Sequence, residues 1–128
     1  MSVLFGYITV FFGAGIGGLL RLAANRAGIL LSPSFPWSTL FVNVSGSLAI
    51  GLIAGWFALR GQGGQTLRLF LTTGVLGGYT TFSAFALDTA LLWERGQAWG
   101  SVFYVTSSVL LSIAGAFLGL AIIRQLPS

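Results

Sequence analysis

The chain alternates four long apolar stretches with short polar connections. A helix needs about 20 apolar residues to cross ~30 Å of hydrocarbon at ~1.5 Å per residue. The stretches at about 3–24, 39–59, 67–93 and 98–123 each reach that length. The pattern predicts an all-α membrane protein, one four-span transmembrane domain over residues 1–128, with nothing left for a soluble domain. The first stretch does not read as a signal peptide: its apolar run is too long, no basic residue precedes it, and three more spans follow.

Inside these stretches the small and polar residues fall into stripes. Gly13, Gly17 and Arg21 recur at i+4 in the first span, with Ala14 and Gly18 beside them. Such a face lets another helix approach closely. Arg21, at its end, either snorkels to the headgroups or sits at a water-filled mouth where it concentrates anions. In the second span Thr39, Asn43, Ser47, Gly51 and Gly55 share one face. Ser and Gly there suit packing, but lipid satisfies neither the donors nor the acceptor of the Asn43 amide, so it faces another helix or a pathway. The fourth span repeats the stripe with Tyr104, Ser108 and Ser112, continued by Gly115 and Gly119. Three hydroxyls in register point to a polar track.

The third span is the anomaly. It is longer than a straight crossing needs, and Gly77-Gly78 with Thr80-Thr81 lie near its middle. Gly weakens a helix interior by about 1 kcal/mol against Ala, and Thr competes for backbone hydrogen bonds, so a break at mid-membrane is expected. Carbonyls freed there need partners inside the protein. Beyond the break Phe82, Phe85 and Thr89 share a face, either packed against neighbours or lining a path. The connections are a Pro/Ser-containing surface loop at 25–38, a Gly/Gln-rich turn at 60–68 and a tight turn at 94–97.

Composition narrows the chemistry. Apolar side chains make up 55% of the chain and charged ones 6%, with a mean hydropathy of +0.94. Cys and His are absent and the only carboxylates are Asp88 and Glu94. That excludes disulfides, Cys/His metal sites and Ser/His or paired-carboxylate catalysis, so no enzyme is expected. The net charge of +4 rests on arginines scattered singly at helix ends, which argues for membrane edges and against nucleic acid.

With four spans both termini lie on one side. Arg60, Arg68 and Arg124 then face Arg21, Arg26 and Arg95 across the membrane, an even balance that leaves the positive-inside rule without a preference. The expectation is insertion both ways round and an antiparallel homodimer with its two-fold axis in the membrane plane. Such an axis brings the mid-membrane segments of two copies together. Carbonyls of Gly77 and Thr80 from each copy would suit a small hard cation such as Na⁺.

Three motifs then coincide: Gly77-Gly78-Tyr79-Thr80-Thr81-Phe82-Ser83-Ala84-Phe85, Thr39-Leu40-Phe41-Val42-Asn43-Val44-Ser45-Gly46 and Gly17-Gly18-Leu19-Leu20-Arg21. With them the chain resembles the Fluc fluoride channels, also called CrcB proteins. The resemblance implies a dual-topology dimer in the bacterial inner membrane, two antiparallel fluoride pores and a central structural Na⁺. It implies that Phe82 and Phe85 contact F⁻ through electropositive ring edges, that Asn43 donates an amide N–H, and that Tyr104, Ser108 and Ser112 form the polar track. It likewise assigns the Na⁺ carbonyls to Gly77 and Thr80 and a vestibule position to Arg21. Ala84 and Asp88 depart from the Thr and Glu common in the family. A small dual-topology multidrug/proton exchanger, and a non-transporting membrane assembly subunit, are the alternatives; the exchanger would need a carboxylate in mid-membrane.

Overall fold

The computed structural model describes residues 2–61 and 64–127. It is all-helical over those residues, with four helices long and apolar enough to cross a membrane. α1 (Val3–Leu31) starts where the Ser2 hydroxyl accepts the Phe5 N–H at 3.2 Å. It runs seven residues past the expected end at Ala24, to Leu31. Asn25 and Arg26 mark a change in polarity, and neither breaks a helix. The stop comes from Pro33 and Pro36, leaving a shorter connection than the expected loop at 25–38.

α2 (Trp37–Arg60) ends at Gly61, whose φ of 60° and ψ of 12° place it in the left-handed region that favours glycine. In the connection that follows, Gln62 and Gly63 lie outside the described residues. α6 (Ala98–Arg124) is entered through a tight turn in which Gly96 takes φ 79°.

The third span, Gln65–Glu94, is composite. It opens with α3 (Gln65–Leu69), widens into a π-helical segment over Phe70–Leu76, tightens into the single turn α4 (Gly77–Tyr79), and resumes as α5 (Phe82–Glu94). Between the last two, Thr80 (φ −87°, ψ 157°) and Thr81 (φ −153°, ψ 121°) are extended.

Two helix pairs carry the packing. α2 and α6 form the most extensive contact. Gly51 lies against the Ala116 backbone, Gly55 against Ile123 and Gly119 against the Leu48 carbonyl, so both stripes meet through missing side chains. α1 meets the third span in the same manner. A Cβ on Gly13 would come within 2.9 Å of the Gly74 Cα, one on Gly17 would strike the Val75 carbonyl, and one on Gly78 the Ala14 carbonyl. A small core of Leu40, Leu92 and Tyr104, flanked by Phe35, Val44 and Phe85, ties α5 to α2 and α6. Most other large apolar side chains are exposed on the single chain, as hydrocarbon-facing surface should be.

Candidate functional site

The site grows out of the two extended threonines. In a continuous helix the Thr81 N–H would bond the Gly77 carbonyl, four residues back. Here it donates instead to Asn43 Oδ1 at 2.8 Å, while Asn43 Nδ2 donates to the Thr81 carbonyl at 3.0 Å. The amide of Asn43 thus clasps the Thr81 backbone as a neighbouring β-strand would. The Ala84 N–H, which would reach the Thr80 carbonyl, donates to Thr81 Oγ1 at 3.1 Å, an N-cap that starts α5. Gly77 and Thr80 therefore each lose their helical donor to a side chain. The Gly78 carbonyl accepts from Arg21 Nε at 3.1 Å.

Other contacts steady the same turn. Thr80 bonds the Leu76 carbonyl through its N–H and its hydroxyl, both at 3.0 Å. The Tyr79 phenol and the Ser45 hydroxyl lie 2.9 Å apart. Gly46 on α2 lets the Thr80 methyl and the Tyr79 ring approach, and a Cβ there would run into the methyl.

Beside this turn lies an open cleft of about 510 Å³ between α2, the third span and α6. Asn43 and Ser47 line it from α2, Gly77, Thr80, Thr81, Phe82 and Phe85 from the third span, and Ser108 and Ser112 from α6. Phe82 is 79% exposed, and its ring stands 5.6 Å from that of Phe85 at 64°, an edge-to-face arrangement. Ser108 is 5% exposed and, among the described residues, its Oγ has no hydrogen-bond partner. A buried hydroxyl without a partner is costly, and the residue that carries this one borders the cleft.

The predicted residues separate into groups. Asn43, Phe82, Phe85, Ser108 and Ser112 come together around the cleft, and Gly77 and Thr80 border it as well. Tyr104 is not among the lining residues. It is fully buried behind Phe85, ring centroids 5.2 Å apart, and its phenol donates to Asp88 Oδ2 at 3.0 Å. Arg21 also stays outside the lining, held on the Gly78 carbonyl. Asp88 instead borders a second cavity of about 300 Å³ with Asn25, Ser38, Thr39 and Arg95. Thr81, named in the sequence only as part of the break, has a capping role that its position also signals. A Thr directly before an apolar helix is an N-cap signal, and it would have identified the restart at Phe82.

Comparison with known proteins identifies the family. A family model described as CrcB-like protein, Camphor Resistance (CrcB), matches residues 8–120. A protein of Rhodopseudomonas palustris named fluoride-specific ion channel FluC is 55% identical over 121 residues, covering 94% of this chain and 98% of the relative. A protein of the same name from Methylobacterium nodulans is 53% identical over 118 residues, covering 92% and 95%. Fluoride-specific ion channel FluC 2 of Nitrobacter hamburgensis is 51% identical over 121 residues, covering 94% and 98%. A match across all four spans, at such identity over nearly whole chains, means that the chain belongs to the CrcB-like family.

Proposed function

We propose that the chain is a fluoride-selective channel that lets F⁻ leave a bacterial cell passively across its inner membrane. The observation that carries this reading is the cleft bordered together by the Asn43 amide, the Phe82–Phe85 pair and Ser108, whose buried hydroxyl has no partner among the described residues. The names of the relatives point the same way.

Fluoride is small and holds its water tightly. A passage must replace that water with donors while withholding a full positive charge that would trap the ion. The cleft meets both conditions. Asn43 spends one amide N–H on Thr81 and keeps another. Ser108 and Ser112 supply hydroxyls, the phenylalanine rings supply electropositive edges, and the start of α5 brings the positive end of a helix dipole. The guanidinium of Arg21 is tied to the Gly78 carbonyl outside the lining, so the cleft itself carries no full positive charge that would seize the ion. Among the described residues the lining holds no carboxylate, whereas a proton-coupled exchanger would need one in mid-membrane.

In the same reading the third span is broken at mid-membrane, and two copies pair antiparallel so that each cleft has an inverted twin. The Gly77 and Thr80 carbonyls, their helical donors diverted to Asn43 and Thr81, fit a structural Na⁺ shared between the copies. The ion would supply fixed positive charge to four otherwise unpaired oxygens and hold the two breaks together.

The test is reconstitution of the purified protein in liposomes loaded with fluoride and, separately, chloride. Fluoride efflux without comparable chloride efflux is expected. No fluoride efflux, or equal efflux of both ions, would overturn the proposal.

A further inference from the structure

The clasp between Asn43 and Thr81 ties the proposed cation carbonyls to the donors that border the same cleft. On one side, Asn43 Oδ1 takes the N–H that would close a helical bond to the Gly77 carbonyl. On the other, Nδ2 donates to the Thr81 carbonyl, and the same side chain lines the cleft with Phe82, Phe85 and Ser108. The two bonds also fix which way the amide faces, because only one orientation sets oxygen against N–H and NH₂ against carbonyl. The remaining N–H is thereby committed to the side away from Thr81.

We propose that Asn43 is a positioning residue for the cation carbonyls: by holding the Thr81 N–H it keeps the Gly77 carbonyl out of a helical bond and open to the cation. One amide then serves both ions, donating toward the anion and freeing an oxygen for the cation. The inference rests on the Na⁺ reading given above and extends it to a residue on a different helix. Linkage makes the coupling reciprocal, so an ion that needs the free Gly77 carbonyl must in turn stabilise the clasp.

The experiment measures the thermal stability of the purified dimer as NaCl replaces N-methylglucamine chloride at constant ionic strength, without fluoride. Wild type, Asn43→Leu and Ser108→Ala are compared. Leucine has nearly the shape of asparagine and holds no N–H, so Thr81 is free to return to Gly77. The Na⁺ midpoint of Asn43→Leu should rise about tenfold, the worth of one recovered backbone hydrogen bond. Ser108→Ala, which shares the cleft and does not touch Thr81, should keep the wild-type midpoint. A wild type indifferent to Na⁺ would overturn the cation reading itself. A Na⁺-dependent wild type with an unshifted Asn43→Leu midpoint would overturn this inference alone. Should Asn43→Leu fail to assemble, amide exchange at Thr81 in the wild type decides: slower exchange with Na⁺ supports the linkage, and exchange unaffected by Na⁺ refutes it.

Discussion

The α2–α6 pair and the pair formed by α1 with the third span rely on the same device, glycines whose missing Cβ lets backbones touch, yet only the second gives up helical hydrogen bonds. Gly51 and Gly119 stay inside regular helices. Gly13 and Gly17 lie against a π-helical segment, and Gly78 lies two residues before extended backbone. Close approach is therefore not what opens a helix. The difference lies in the side chains within reach. Along α2 and α6, Ser45 and Ser107 bond the carbonyls of Phe41 and Phe103 four residues back, which leaves the backbone amides helical. At Thr80 and Thr81, an asparagine, a threonine hydroxyl and an arginine take the amides and a carbonyl that the interruption exposes.

Two glycine substitutions test that comparison most severely. Gly17→Val and Gly51→Val each force a side chain into a carbonyl, of Val75 and Ala116 respectively, and each should cost ~1–3 kcal/mol or more in thermal unfolding. They should differ in transport. Gly17 buttresses the interrupted span, so its variant should lose more fluoride efflux than the Gly51 variant at equal loss of stability. Equal efflux would mean that the regular seam shapes the cleft as much as the irregular one.

Two hydroxyl deletions on α6 should separate packing from transport. Tyr104→Phe removes the partner of Asp88 and should cost about 1–2 kcal/mol. Ser108→Ala removes an unpartnered hydroxyl, so stability should hold or rise by up to ~1 kcal/mol while fluoride efflux falls several-fold. A clear loss of stability in Ser108→Ala would show that the hydroxyl is satisfied within the protein. Gly77→Ala should do least. On the single chain a Cβ at Gly77 meets only the Thr72 carbonyl within 4 Å, at 3.7 Å, and the residue is helical, so the variant should be neutral or more stable by up to ~1 kcal/mol in the same unfolding assay.

Some of this could be read before the structure. Four apolar helices follow from hydropathy, because a span has no other way to satisfy its backbone. The stripes identified which side chains share a face, and Asn43, Phe82, Phe85, Ser108 and Ser112 do border one cleft. A stripe does not say how far its face reaches. Tyr104 shares the face of Ser108 one turn along, where it meets Phe35, Phe85 and Asp88 instead of open space. α1 continues past the expected span, because polar residues such as Asn25 and Arg26 mark a membrane edge without ending a helix. The π-helical segment leaves no trace in the sequence of Phe70–Leu76, whose backbone lies against Gly13 and Gly17 of α1. Of the four residues expected to weaken the third span, Gly77 and Gly78 are helical and Thr80 and Thr81 are the extended ones. Asn43 fixes their backbone from another helix, which local sequence does not reveal.

The central claim is that fluoride passes along the cleft beside this interruption. Fluoride efflux from liposomes holding matched amounts of wild type and Phe85→Ile tests it directly. Wild type should empty the vesicles of fluoride, and the variant should do so at least about tenfold more slowly, a barrier change of ~1.4 kcal/mol, with its melting temperature preserved. Equal fluoride efflux from the two proteins would contradict the claim.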